Sequence, residues 1–254
     1  MTSRIDTARR ALGLIDLTNL EDDCDKADIR ALAARAETAH GNVAALCVWP
    51  QFVDLAADLV NGTGIDVATV VNFPGGDDRL GDVVTLARRC LAAGATEIDT
   101  VIPYRALADG NEDAVSDHVT ALSEATGDAR LKVILETGEL GDEALVRRAA
   151  RLAINGGADF IKTSTGKVSV NATPDAVRWM LEEIADAGRN GVGLKPAGGI
   201  RTVEDAAAFL DLADEVMGAD WARKATFRFG ASSLLGNVLE ALGEASGGAD
   251  EGGY

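Results

Sequence analysis

Residues 130–164 read RLKVILETGELGDEALVRRAARLAINGGADFIKTS. The stretch opens and closes on apolar runs, RLKVILET (130–137) and DFIKTS (159–164). Between them, EALVRRAARLAINGG places apolar residues at helical spacing and stops at Gly156–Gly157, the residue type that lets a chain leave a helix in a left-handed turn. A run rich in Val, Ile and Leu, an amphipathic helix, and a second such run form a strand–helix–strand unit with parallel strands, because such strands are covered on both faces.

The alternation continues in both directions. Strand-like runs recur at LIDLTNL from Leu14, NVAALCVW (42–49), IDVATVVNF (65–73), TEIDTVI (96–102), VGLKPAGG (192–199) and FRFGASS (227–233). LGDVVTLARRCLAAG and VEDAAAFLDLADEV supply helices of the same kind, the first ending at Gly94. The sum is eight strands, each followed by a helix, within 254 residues. This predicts an α/β fold, a (β/α)₈ TIM barrel, with an extra N-terminal helix over residues 3–13. The main rival is a doubly wound open sheet, and the absence of GxGxxG after the first strand counts against it. One barrel domain is expected over residues 1–244, followed by a flexible, Gly-rich, acidic tail, ASGGADEGGY, over 245–254.

Composition removes several classes of function. The formal charge is −17 with no local basic patch, which disfavours nucleic-acid binding. No apolar run approaches the ~18 residues of a membrane span, and MTSRIDTARR lacks the apolar stretch of a secretory signal, so a cytoplasmic protein is expected. Asp and Glu are spread along the chain, predicting a solvated acidic surface suited to high salt. Cys24, Cys47 and Cys90 are widely spaced and read as reduced thiols, with Cys47 a buried apolar residue. The two histidines, His40 and His118, are expected at the surface, and such scarcity argues against a zinc-dependent mechanism and any metal site.

Lysine usage is more informative. Six lysines (26, 132, 162, 167, 195 and 224) stand against eighteen arginines, and four of the six lie in or near strand ends. Active sites of (β/α)₈ barrels sit at the C-terminal ends of the strands. The polar residues that interrupt or end the apolar runs are Asp16, Asp99, Lys132, Lys162 and Lys195. Lys162 and Lys195 fall on adjacent strands. Each cation opposes protonation of its neighbour, and burial disfavours both, so an amine can be held neutral and nucleophilic toward a carbonyl. Asp99 is expected to pair with a lysine and to move protons. Lys132 is expected to balance charge around Asp99, and Asp16 either to bind a substrate hydroxyl or to cap the loop that follows it. A second group predicts anion binding. Gly166–Lys167, Gly198–Gly199 and Gly230-Ala231-Ser232-Ser233 follow the last three strands, where backbone N–H groups, hydroxyls and a helix start converge. The alternative for Ser232 is a plain N-cap. Arg105 and Arg201 sit in loops after strand ends, and Arg201 is a further anion-binding candidate.

The stretches DLTNL, NFPGG, EIDTVIPYRALADGN, LKVILETGEL, GADFIKTSTGKVSVNATP, LKPAGGIRT and RFGASSLL resemble, in order, the deoxyribose-phosphate aldolase family of bacterial type, over about residues 14–240. The resemblance implies a TIM barrel that reversibly cleaves 2-deoxy-D-ribose 5-phosphate to D-glyceraldehyde 3-phosphate and acetaldehyde with neither metal nor cofactor. It implies small phosphosugar and aldehyde partners, and it allows a homo-oligomer. By motif position, Lys162 in FIKTSTGK matches the Schiff-base lysine, Lys195 in LKPAGG the lysine that perturbs it, and Asp99 in EIDTV the proton relay. Gly166, Lys167, Gly198, Gly199, Ser232 and Ser233 match phosphate-binding loops, with Gly230 beside them. Asp16 and Thr18 match residues at the sugar end, and Tyr254 resembles a C-terminal tyrosine that assists proton transfer at the enamine carbon. A different Schiff-base barrel acting on ketose phosphates, or a catalytically dead phosphosugar-binding protein, are the rival functions.

Overall fold

Eight short parallel strands curl into one sheet in the computed structural model, which describes residues 3–188 and 191–243. They are β1 (Ile15–Asn19), β2 (Ala45–Val48), β3 (Asp66–Val71), β4 (Glu97–Val101), β5 (Arg130–Ile134), β6 (Phe160–Lys162), β7 (Gly193–Lys195) and β8 (Phe229–Ala231). The sheet order is β8-β1-β2-β3-β4-β5-β6-β7, so each strand lies beside its predecessor and the first lies beside the last. Hydrogen bonds from Leu194 N to Thr226 O (2.9 Å), Arg228 N to Leu194 O (3.0 Å) and Gly230 N to Pro196 O (2.9 Å) join the two remaining edges. The result is a TIM barrel, as the alternation predicts. The strands are shorter than the apolar runs because those runs continue into the loops at the barrel mouth.

The helices between the strands are set by local sequence. Asn111, Asp142, Thr173 and Thr202 each cap a helix with a side-chain oxygen, and Thr202 forms a reciprocal capping box with Asp205. Gly94 and Gly157, just past two helix ends, adopt φ of 106° and 103°, where a side chain would be strained. The extra N-terminal helix, Arg4–Leu12, packs against helices Val203–Met217 and Leu234–Ala241, burying Ala8, Ala11 and Leu12 and pairing Arg10 with Asp214. The tail predicted over 245–254 lies outside the described residues.

Two apolar layers result. The larger fills the space between strands and helices with Ile15, Ile98, Leu131, Val133, Ile161, Val177 and their neighbours. The smaller lies inside the barrel against β2 and β3, where Ala45, Cys47, Ala68 and Val70 pack with Leu20. Cys47 is thus the buried apolar cysteine expected, and burial pushes its thiol pKa up. The rest of the barrel interior is not apolar: Asp16, Glu97, Asp99, Lys132, Lys195 and Arg228 are fully buried there.

His118 departs from expectation. It is buried on the helix Glu112–Thr126, with Nε2 2.8 Å from Thr100 Oγ1, and burial lowers its pKa to about 4. Its helix turns it toward β4, so it meets the outward face of the strand instead of water; His40 is exposed as expected. No helix among the described residues is long and apolar enough to cross a membrane.

Candidate functional site

Parallel pairing places the inner charges side by side. Asp99 is in register with Lys132, and Lys162 with both Ile134 and Lys195. Alternation along each strand then turns Glu97 and Asp99 to the same inner face. The Asp99 carboxylate is the hub: Oδ1 accepts from Lys132 Nζ at 2.8 Å, and Oδ2 accepts from Lys162 Nζ at 2.9 Å and from Lys195 Nζ at 2.7 Å. Two lysines from adjacent strands therefore converge on one oxygen atom. Lys132 also meets Glu97 Oε2 at 2.5 Å, and Lys195 meets Asp16 Oδ2 at 2.6 Å. Arg228 joins Asp16 Oδ1 (2.6 Å) to Glu97 Oε1 (2.8 Å).

Counting charges in this fully buried set indicates which base is held least firmly. Three buried carboxylates, of Asp16, Glu97 and Asp99, face four buried bases, Lys132, Lys162, Lys195 and Arg228, while the half-buried Arg130 on Glu97 and Asp66 on Arg228 add one charge of each sign. An uncompensated buried ion costs several kcal/mol, so three charged bases balance the set and the fourth is driven toward neutrality. Lys162 has one carboxylate partner, whereas each of the others has at least two.

The pKa directions agree with that count. Burial lowers the Lys162 pKa; Asp99 opposes the shift and Lys195 adds to it. Burial also works against the Lys195 ammonium, but Asp16 and Asp99 outweigh it and raise that pKa, and carboxylates do the same for Lys132. Burial would raise Asp99, yet Lys132, Lys162 and Lys195 hold it well below the ordinary carboxylate range. Of the two causes expected from the sequence, burial is the larger and Lys195 the lesser.

A small cleft lies at the barrel mouth, lined by Thr18, Leu20, Lys162, Thr165, Ala197, Gly198, Gly230, Ala231 and Ser232. Lys162 is the one inner base that reaches it. Gly198 and Gly199 have φ of 83° and 80° and Gly166 has φ of 86°, left-handed turns that open their backbones at the ends of β7 and β6. Gly230 has a different use: a Cβ there would come within 2.8 Å of Ala197 Cβ and 3.1 Å of Lys195 Cε, so its bareness lets β8 lie close against the end of β7. Ser232 Oγ is buried with no hydrogen-bond partner. Ser232 is not the cap: Ser233 precedes the helix Leu234–Ala241, and its side chain makes no capping bond. Lys167 Nζ lies 4.0 Å from Glu21 Oε2.

The structure thus brings Lys162, Thr18, Gly198, Gly230 and Ser232 to one cleft, with Asp99 and Lys195 directly beneath Lys162. It turns Asp16 into the barrel, away from the cleft, and sets Lys132 against Asp99 at 2.8 Å. Both are fully buried, and the Asp16 carboxylate is committed to Lys195 and Arg228. Arg201 is exposed, and Arg105 donates to Gly75 O at 2.7 Å in a separate cavity with Asn72 and His118. Tyr254 lies outside the described residues. Sequence reasoning missed Glu97, Arg228 and Glu136. The first two carry a usable signal: each stands two residues before an inward position, Asp99 or Gly230, and so shares its face. Among the described residues, no group of three or more His, Cys, Asp or Glu side chains is arranged to hold a metal ion.

Residues 10–238 match the model of the DeoC/LacD family aldolases. A solved structure assigned as a deoxyribose-phosphate aldolase from Toxoplasma gondii ME49 superposes with a TM-score of 0.86 at 27% identity, covering 94% of this chain and 96% of that one. One so assigned from Coccidioides immitis gives 0.81 at 30%, covering 92% and 86%. The tetrameric deoxyribose phosphate aldolase from Aeropyrum pernix gives 0.76 at 28%, covering 95% and 92%.

Proposed function

This chain belongs to the DeoC/LacD family of aldolases and is a lyase, and from that premise we propose that it reversibly cleaves 2-deoxy-D-ribose 5-phosphate to D-glyceraldehyde 3-phosphate and acetaldehyde through a Schiff base on Lys162. One observation carries the reading: Lys162 is the only amine of the buried lattice that lines the cleft, and it is the one whose pKa falls, because its carboxylate partner does not outweigh burial as the partners of Lys132 and Lys195 do.

In the cleavage direction, neutral Lys162 attacks the aldehyde carbon of the open-chain sugar. Loss of water leaves an iminium; as the hydroxyl on the third carbon gives up its proton and becomes the aldehyde of the triose, the bond between the second and third carbons breaks and its electron pair passes to the iminium. The triose phosphate departs and an enamine remains. Protonation and hydrolysis then release acetaldehyde and restore the amine. Asp99 Oδ2 touches Lys162 and Lys195, so it is placed to pass protons during carbinolamine formation and dehydration. Lys195 holds Asp99 and Asp16 and adds to the field on Lys162; Lys132 holds Asp99 and Glu97.

The phosphate is assigned to the rim formed by Gly166, Lys167, Gly198, Gly199, Ser232 and Ser233, beside Gly230. Thr18 faces the sugar. Binding the phosphate away from the reacting carbon orients the substrate, which is how remote contacts contribute to rate. Tyr254 is assigned to enamine protonation. The reading needs no cofactor, and it includes a homo-oligomer, by analogy with the tetrameric Aeropyrum pernix protein.

Borohydride reduction in the presence of acetaldehyde is the test. A two-carbon adduct on the peptide bearing Lys162, lost in Lys162→Ala together with turnover, is the expected result. A folded protein that turns over the phosphosugar without forming this adduct would exclude the reading. Comparing acetaldehyde with ketose-phosphate donors separates it from other Schiff-base barrels.

A further inference from the structure

A buried carboxyl that the mechanism does not use stands one strand away from Lys162. Glu136 follows β5, is fully buried, and makes no ion pair among the described residues. It is one of two non-glycine described residues with positive φ, at φ 56° and ψ 57°, a conformation that side-chain-bearing residues seldom adopt. The flanking residues hold it there: Leu135 N donates to Lys162 O and Thr137 N to Thr163 O, each at 2.9 Å. Glu136 occupies the N-cap position of the short helix Thr137–Leu140, yet its side chain does not cap that helix. It reaches instead across to the next strand's loop, where Oε1 accepts from Thr165 N at 3.1 Å. Thr165 in turn accepts from Lys167 N through Oγ1 at 3.0 Å, closing the turn around Gly166. Gly138, two residues on, lies against the same loop: a Cβ there would come within 1.9 Å of Val170 O. The β5 exit is thus a backing plate for residues 163–170, and Glu136 is its one side-chain bond to them.

We propose that Glu136 is a positioning residue that fixes the Thr165–Lys167 turn in the form that receives the substrate's phosphate. This deepens the reading above and rests on its assignment of that turn to the phosphate. Oε2 has no partner in the protein, so a single oxygen does the positioning. Burial raises the Glu136 pKa, against opposition from Thr165 and Lys162.

The test compares Glu136→Asn with Glu136→Gln. Asn tolerates left-handed backbone but is too short to reach Thr165 N; Gln keeps the accepting oxygen. KM and kcat are measured for 2-deoxyribose 5-phosphate and for 2-deoxyribose. In Glu136→Asn, KM for the phosphosugar rises about tenfold, the size expected when a buried hydrogen bond is lost. KM for the unphosphorylated sugar changes less than about twofold, and acetaldehyde with borohydride still labels Lys162. Glu136→Gln restores the phosphosugar KM. Glu136→Asp, equally short in reach, shows the same split should Glu136→Asn not fold. An unmodified protein that prefers the phosphosugar, with that preference intact in the short variants, overturns the role of Glu136 alone. Equal losses on both sugars do so too, since they mark a merely structural group. An unmodified protein with no preference for the phosphosugar overturns the phosphate assignment and this inference with it.

Discussion

The two faces of the barrel strands are built on opposite principles. Outward, Ile98, Leu131, Val133 and Ile161 meet the helices in an apolar layer that needs shape and little else. Inward, one residue along, Glu97, Asp99, Lys132 and Lys195 meet one another as ions, with the Lys162 amine at their edge. Loss of a methyl group from the outer face leaves a small cavity whose neighbours partly relax. Loss of one inner charge leaves its partners buried and unmatched. The inner face is therefore the less forgiving, although it contributes less apolar area.

The widest test of that contrast is Arg228→Met, which keeps volume and removes the cation between Asp16 and Glu97. Unfolding in urea should show a loss of about 3–5 kcal/mol, the range for breaking a buried pair. Ile98→Val, on the outer face of β4, should cost only about 1 kcal/mol by the same measurement. A smaller loss for Arg228→Met than for Ile98→Val would reverse the comparison.

Lys162→Met probes the inner face from the other side. A lysine whose folded pKa lies below its unfolded value destabilises the fold at neutral pH, since folding disfavours its proton. Replacement should raise stability by about 1 kcal/mol while abolishing turnover and borohydride labelling, the exchange between stability and activity seen at many sites. A drop in melting temperature would show that Lys162 is a structural cation.

The inner carboxylates set the response to acid. Asp16, Glu97 and Asp99 have folded pKa values below their unfolded ones, because lysines and Arg228 outweigh the burial that would raise them. Their contribution is present above about pH 4 and is lost as pH falls through the lowered values. Urea titrations at descending pH should show stability falling in two stages: first below about pH 6.5, where unfolding lets buried His118 take up a proton, and then further below about pH 4 as the inner carboxylates are protonated. The smallest effect belongs to the surface: Arg148→Ala, which removes an exposed pair with Glu112, should leave the melting temperature unchanged within error.

The fold was legible because its signal is repeated. Eight apolar runs alternating with capped helices leave few topologies, and the lysines stood out once surface lysine proved scarce. Asp99, Lys162 and Lys195 could be grouped because strand ends share one rim. What stayed hidden depended on facing and reach. Asp16 looked like a rim residue until its strand turned it inward to Arg228, and Arg228 itself, in FRFGASS, looked like one more arginine in a chain rich in them. Glu136 gave no signal at all, because its left-handed backbone and its bond to Thr165 arise only after two strands are paired. His118 was misplaced for a related reason: a single polar residue on a helix does not declare which neighbour its turn will face.

The ring of acidic side chains next to the mouth has a kinetic consequence. Glu21, Asp23 and Asp28 line a depression that shares Thr18 and Ser232 with the lysine cleft, on a protein of formal charge −17. The sugar phosphate proposed as substrate would diffuse toward the mouth against that potential. Dissolved electrolyte shortens the reach of surface charge from roughly 10 Å at 0.1 M to roughly 3 Å at 1 M, so brine quickens the encounter of substrate with enzyme even though it contributes nothing to the bond-breaking step.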